Sequence, residues 1–118
     1  MNLEHLTSYL PHNADLYVKK WLENHFITLK ITRRRETKLG DYRKLVENNR
    51  HQITVNGDLN QYAFFFVFTH EVAHLKTFVQ FDSRKINPHG KEWKTIFGHL
   101  LLESLHIYPE ELQPYILH

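Results

Sequence analysis

Tyr62-Ala63-Phe64-Phe65-Phe66-Val67-Phe68-Thr69-His70-Glu71-Val72-Ala73-His74-Leu75-Lys76-Thr77-Phe78-Val79 is an apolar run interrupted by two imidazoles and a carboxylate. Phe65, Phe68, Val72, Leu75 and Val79 recur at spacings of three and four, which predicts a helix with these five residues in the core. Its expected span is Gln61 to Gln80, with Asp58 or Asn60 placed to cap it. His70, Glu71 and His74 then fall on a neighbouring face, toward a cleft. Left buried and unpaired they would each cost on the order of several kcal/mol. The bland alternative is core histidines bonded to backbone carbonyls.

On a helix, residues i and i+4 share a face, separated by roughly 6 Å of rise. Two imidazoles so placed can reach one cation at about 2.0–2.1 Å each. Glu71 lies roughly 100° around the helix from His70, off the metal axis but within reach of a metal-activated water. A third ligand must come from elsewhere. His89 is the best placed, because it follows a connecting segment long enough to reverse direction and precedes a new helix. Gly90 permits a sharp turn or close backbone approach there. Glu92 is the alternative, as ligand, as support for an imidazole, or as an ordinary acid at a helix start. His99 and His106 read as packing or surface residues. His5, His12, His25, His51 and His118 carry no spacing signal.

Working outward, Leu3 to Leu10 and Ala14 to Asn24 read as helices broken near Pro11, with Asn13 as a cap and Leu16, Val18, Trp21 and Leu22 as an apolar stripe. From His25 to Arg35 the period becomes two, so a half-buried strand is expected. Leu39-Gly40-Asp41-Tyr42 reads as a turn, Arg43 to Val46 as a second strand, Glu47 to Arg50 as a loop, and His51 to Gly57 as a third strand. Gly90 to His106 reads as a final long helix, and Pro109 as the start of one more short one. The fold class implied is α+β, as one domain over residues 1–118.

The chain holds no cysteine, which excludes disulfides, thiol catalysis and a Cys-ligated zinc ribbon. No uninterrupted apolar stretch is long enough for a membrane span, and no signal peptide is visible, so a cytoplasmic monomer is the expectation. Net charge is only +2, yet the segment from Lys30 to Arg50 carries +5. That imbalance fits either a solvated strand face or contact with a polyanion such as DNA.

Thr69-His70-Glu71-Val72-Ala73-His74-Leu75, with His89-Gly90-Lys91-Glu92-Trp93 downstream, resembles the SprT-like family of zinc metallopeptidases, which includes the Spartan-type proteases that digest proteins crosslinked to DNA. Lys38 to Arg43 and Ile53 to Asn56 are similar to the strand-turn-strand before that family's active helix. The likeness covers roughly residues 14 to 106. It implies one Zn2+ held by His70, His74 and His89, with Glu71 as catalytic base. It also implies a gluzincin-like core, a small antiparallel sheet packed on the active-site helix between N- and C-terminal helices. The function expected is zinc-dependent hydrolysis of peptide bonds in protein substrates, possible DNA-associated proteins among them. Two other readings compete: a nucleic-acid-binding module with a non-catalytic metal, and a metal-dependent regulator that cleaves one dedicated partner. An edge strand near Ile27 to Arg35 offers a place for an extended substrate to pair.

Overall fold

Five helices and a three-stranded sheet are described within residues 4–46, 49–82 and 84–117 of the computed structural model. In chain order they are α1 (Glu4–Thr7), α2 (Ala14–Leu22), β1 (Ile27–Thr32), β2 (Gly40–Leu45), β3 (Arg50–Asn56), α3 (Gln61–Gln80), α4 (Lys91–Glu103) and α5 (Gln113–Ile116), with a 3-10 turn at Leu105–Ile107. The expected helix start at Leu3, the loop residue Glu47 and His118 lie outside the described residues. Among the described residues, no helix is long and apolar enough to cross a membrane.

α3 fills its expected span. Asn60, not Asp58, caps it, its Oδ1 accepting from the Ala63 N–H at 2.9 Å. Phe64, Phe65, Phe68, Val72, Ala73 and Leu75 are buried along it. Val79, expected in the core, is instead exposed together with Phe78 and Gln80, because the helix has run past the core by its last turn. Trp21 of α2 stacks on Phe65 with the rings 5.8 Å apart, and Tyr108 packs on the same phenylalanine at 5.7 Å.

The sheet is mixed, which corrects the antiparallel expectation. Its order is β1-β3-β2, with β3 parallel to β1 and antiparallel to β2. A two-residue alternation reports which face of a strand is buried and says nothing about its neighbour. β3 takes the central place because five of its seven residues, His51, Ile53, Thr54, Val55 and Asn56, are buried. The 33–39 connection therefore crosses past β3 instead of closing a hairpin. Asn56, fully buried, fastens that connection. Its Oδ1 accepts from Thr32 Oγ1 (3.0 Å) and Arg35 Nε (2.7 Å), its Nδ2 donates to the Lys38 carbonyl (2.9 Å), and its N–H donates to the Leu39 carbonyl (2.9 Å).

Other boundaries shift for local reasons. β2 begins at Gly40, inside the expected turn, because the glycine is needed for close packing on α3 and not for bending. A Cβ there would lie 2.6 Å from Val67 Cγ1. Asn13 makes no side-chain cap, since its left-handed backbone (φ 68°) departs from the extended conformation that lets a cap side chain reach back. Leu16 is 60% exposed, and Ala14 takes its expected place beside Val18, Trp21 and Leu22. α4 stops at Glu103, where the Ser104 hydroxyl donates back to the Leu100 carbonyl at 2.8 Å and the chain tightens into the 3-10 turn. The last helix starts at Gln113 with Pro114 in its first turn, later than Pro109.

Candidate metal centre

α3 presents His70 and His74 one turn apart. The connection after it folds back so that His89 meets both just before α4. The Gly90 N–H donates to the Asn87 carbonyl at 3.0 Å, which closes the turn that carries His89. A Cβ on Gly90 would stand 3.2 Å from that same carbonyl oxygen, so the turn is tight enough to favour glycine. Glu92, the alternative ligand, is not in the group: its carboxylate lies toward Gly90, 3.5 Å from where that Cβ would be.

His89 Nε2 lies 2.9 Å from His74 Nε2 and 3.3 Å from His70 Nε2. The ligand atoms of all three residues fall within 4.8 Å of one another, so the group could hold a metal ion. Three nitrogens bound at about 2.05 Å around a tetrahedral centre would be spaced at about 3.3 Å. One hydrogen bond can explain one nitrogen–nitrogen approach. It cannot explain a nitrogen that faces two others, since each imidazole nitrogen offers one proton or one lone pair. The donor set therefore fits a shared cation.

Trp93 of α4 forms the apolar floor of this group. Its ring centroid is 4.7 Å from His70, 5.3 Å from His74 and 4.7 Å from His89, and its indole N–H donates to the His70 carbonyl at 3.4 Å. Phe97 extends the floor beneath His70. Burial among these rings pulls the His74 imidazole down to about 4, with His70 and His89 adding like-charge repulsion. His70 is lowered by burial and then by His89. Both rings are neutral near pH 7, the state in which an imidazole offers a lone pair to a metal.

Glu71 is only 6% exposed. Burial first, and then the Asp41 carboxylate, raise its carboxyl to about 7, against opposing pulls from Arg35 and Lys38. Its Oε2 would lie 3.1 Å from a Cβ on Gly40, so the missing side chain at Gly40 leaves room beside the carboxyl. The resulting cleft, about 320 Å³, is lined by Leu39, Gly40, Phe66, Val67, His70 and Glu71. A larger groove of about 570 Å³ opens by β1, but its imidazoles, His5 and His25, belong to no convergent ligand group among the described residues.

A profile of the SprT-like family matches residues 8–106, from before α2 into the 3-10 turn after α4. The chain belongs to the SprT-like family. No curated protein and no solved structure matches it. Within this SprT-like chain, the sequence motif points to His70, Glu71, His74 and His89; the fold brings the three histidines together and sets Glu71 in the cleft beside His70. It did not point to Asp41 beside Glu71 or to the spacing role of Gly40, because both sat in a segment read as a turn. Trp93 was legible as an aromatic after His89-Gly90, though not as the floor under three rings.

The basic segment is mostly occupied. Arg35 Nε and Nη1 donate to Asn56 and Thr54. Lys38 and Arg43 both pair with Asp41, Lys44 bonds Asn49, and Arg50 reaches Thr28. Lys30, Arg33 and Arg34 are exposed and, among the described residues, make no ion pair.

Proposed function

We propose that this protein is a zinc-dependent peptidase with a gluzincin-like core, acting as a monomer on protein substrates in the cytoplasm. The observation that carries the reading is the convergence of three imidazole nitrogens beside a buried carboxyl of raised basicity. His70, His74 and His89 would hold the ion. When bound, zinc supplies a Lewis acid and an acidified water, with three protein ligands leaving a position open as catalytic sites require. Glu71 acts as base and then acid: near neutral pH its carboxyl can take a proton from the attacking water and return it to the leaving amine. Trp93 and Phe97 keep bulk water from one side.

The substrate main chain pairs with β2 in this reading, in place of the β1 edge expected from sequence. Both are edge strands, but β2 borders the cleft beside Glu71, while β1 lies beyond β3. Lys30, Arg33 and Arg34 support a subsidiary contact with DNA that would bring DNA-associated substrates to the site.

The test compares wild type with Glu71→Gln, measuring bound zinc and cleavage of an unfolded protein with and without single- or double-stranded DNA. Zinc content should be equal in the two proteins, and cleavage by the variant should fall by about 10²–10⁴. Equal cleavage would remove Glu71 from the chemistry. A rate indifferent to DNA would remove the subsidiary contact.

A further inference from the structure

We infer that the groove between β2 and α3 reads two apolar substrate side chains of different size, a large one immediately after the cleaved bond and a smaller one two residues before it; this rests on the peptidase reading above. The groove holds two pockets, one on each side of the histidine group. The cleft of about 320 Å³ at Glu71 is walled by Leu39, Phe66 and Val67. The second, about 150 Å³, is walled by Tyr42, His74, Thr77, Phe78, Ile86, Asn87 and Pro88. No charged side chain other than Glu71 lines either pocket, so apolar occupants are favoured in both.

Geometry sets the spacing. From Val67 to His74 is roughly 10 Å along α3. From Gly40 to Tyr42 is two strand residues, about 7 Å. An extended peptide advances about 3.3 Å per residue and alternates its side chains between faces, so residues two apart fill two pockets in the same wall. Direction follows from two arguments. β2 runs from the Glu71 pocket toward the His74 pocket, so a peptide pairing antiparallel, the more stable ladder, enters by His74 and leaves by Glu71. Glu71, which returns the proton to the leaving amine, lines the larger pocket, so the residue bearing that amine must place its side chain there. The two arguments agree. The larger pocket has about twice the volume of the smaller. That suits an aromatic ring after the cut, and a leucine-sized chain two residues before it.

The experiment uses two readouts on end-blocked peptides varied only at these two positions. The zinc-loaded protein is given the library, and cut sites are sequenced by mass spectrometry. The zinc-loaded Glu71→Gln variant is titrated with the same peptides, and binding is followed by methyl chemical shifts of Val67 and Thr77. Phe or Trp after the cut should outperform Ala, Asp and Lys by at least about tenfold, as should Leu over Asp and Trp at the second position before it. Binding to the variant should show the same order. Equal use of charged residues at both positions, or the reverse order of sizes, overturns the inference. If nothing is cut but binding keeps the order, the pocket assignment stands and the peptidase reading fails. If nothing is cut and binding shows no order, both fail.

Discussion

His25 and His51 form a second imidazole cluster, their rings 6.2 Å apart, where the rings of His70, His74 and His89 are 4.7 to 5.1 Å apart. Burial lowers the basicity of members of both groups. Their nitrogens differ. His51 Nδ1 faces the Tyr42 hydroxyl at 2.8 Å, and His25 Nε2 faces Lys76 Nζ at 3.4 Å. Each has a polar partner of another residue type, as buried imidazoles in an ordinary core do. In the other cluster the Nε2 atoms of His70 and His74 both face that of His89. Proximity and burial are thus shared, and convergence of lone pairs is what marks a cation site.

The sharpest way to break this contrast is to delete one member from each cluster. His89→Ala should weaken zinc binding by more than about 100-fold, since loss of a mere supporting contact already costs about 10–100-fold. His51→Ala should leave zinc stoichiometry unchanged. Elemental analysis of both variants after dialysis against a weak chelator measures the difference. Zinc retained by His89→Ala, or lost from His51→Ala, would erase the distinction between the clusters.

The same contrast explains what could be read beforehand. His70 and His74 were legible because helical periodicity converts a sequence spacing of four into a shared face, and the flanking phenylalanines fix the helix. His89 was legible only through its place before a glycine and a helix start. The Tyr42–His51–His25 cluster left no trace, because it joins a strand, its neighbour and a loop residue whose pairing depends on strand order. Strand order is not written in a two-residue alternation: β1 and β2 are adjacent in sequence, yet β3 lies between them. Arg35 shows the same limit. It counted toward a basic surface, whereas its guanidinium is spent on Thr54 and Asn56 inside the fold.

A second effect separates the carboxyl of the metal cluster from its imidazoles. Glu71 rises from 4.5 to about 7 on folding, so the native state binds the extra proton between those values. Metal-free protein therefore loses stability through Glu71 as pH climbs through that window. His70 and His74 are lowered, and act in the opposite sense: they bind fewer protons when folded, and their contribution grows as pH rises toward 6.5. Those imidazole contributions are common to wild type and Glu71→Gln, and cancel in the difference. Metal-free Glu71→Gln should gain on wild type between pH 4.5 and 7.5 by up to about 3 kcal/mol. Urea denaturation of both proteins at the two pH values checks it. Parallel pH profiles would mean that Glu71 is not held in a desolvating site.

The smallest effect lies in the second cluster and probes its self-sufficiency. Tyr42→Phe deletes the hydroxyl that faces His51 and leaves the ring that packs on Phe78. His51 is only 7% exposed, so water replaces the lost partner poorly. A net loss of about 1 kcal/mol is expected, the usual scale for one intramolecular hydrogen bond. Zinc affinity should not change, because Tyr42 bonds to His51 and to no member of the metal group. A loss beyond about 3 kcal/mol would make this pair an essential tie across the sheet. A fall in zinc affinity would couple the clusters through the wall that Tyr42 and His74 share, so that the His51 imidazole of β3 would help to position those of α3.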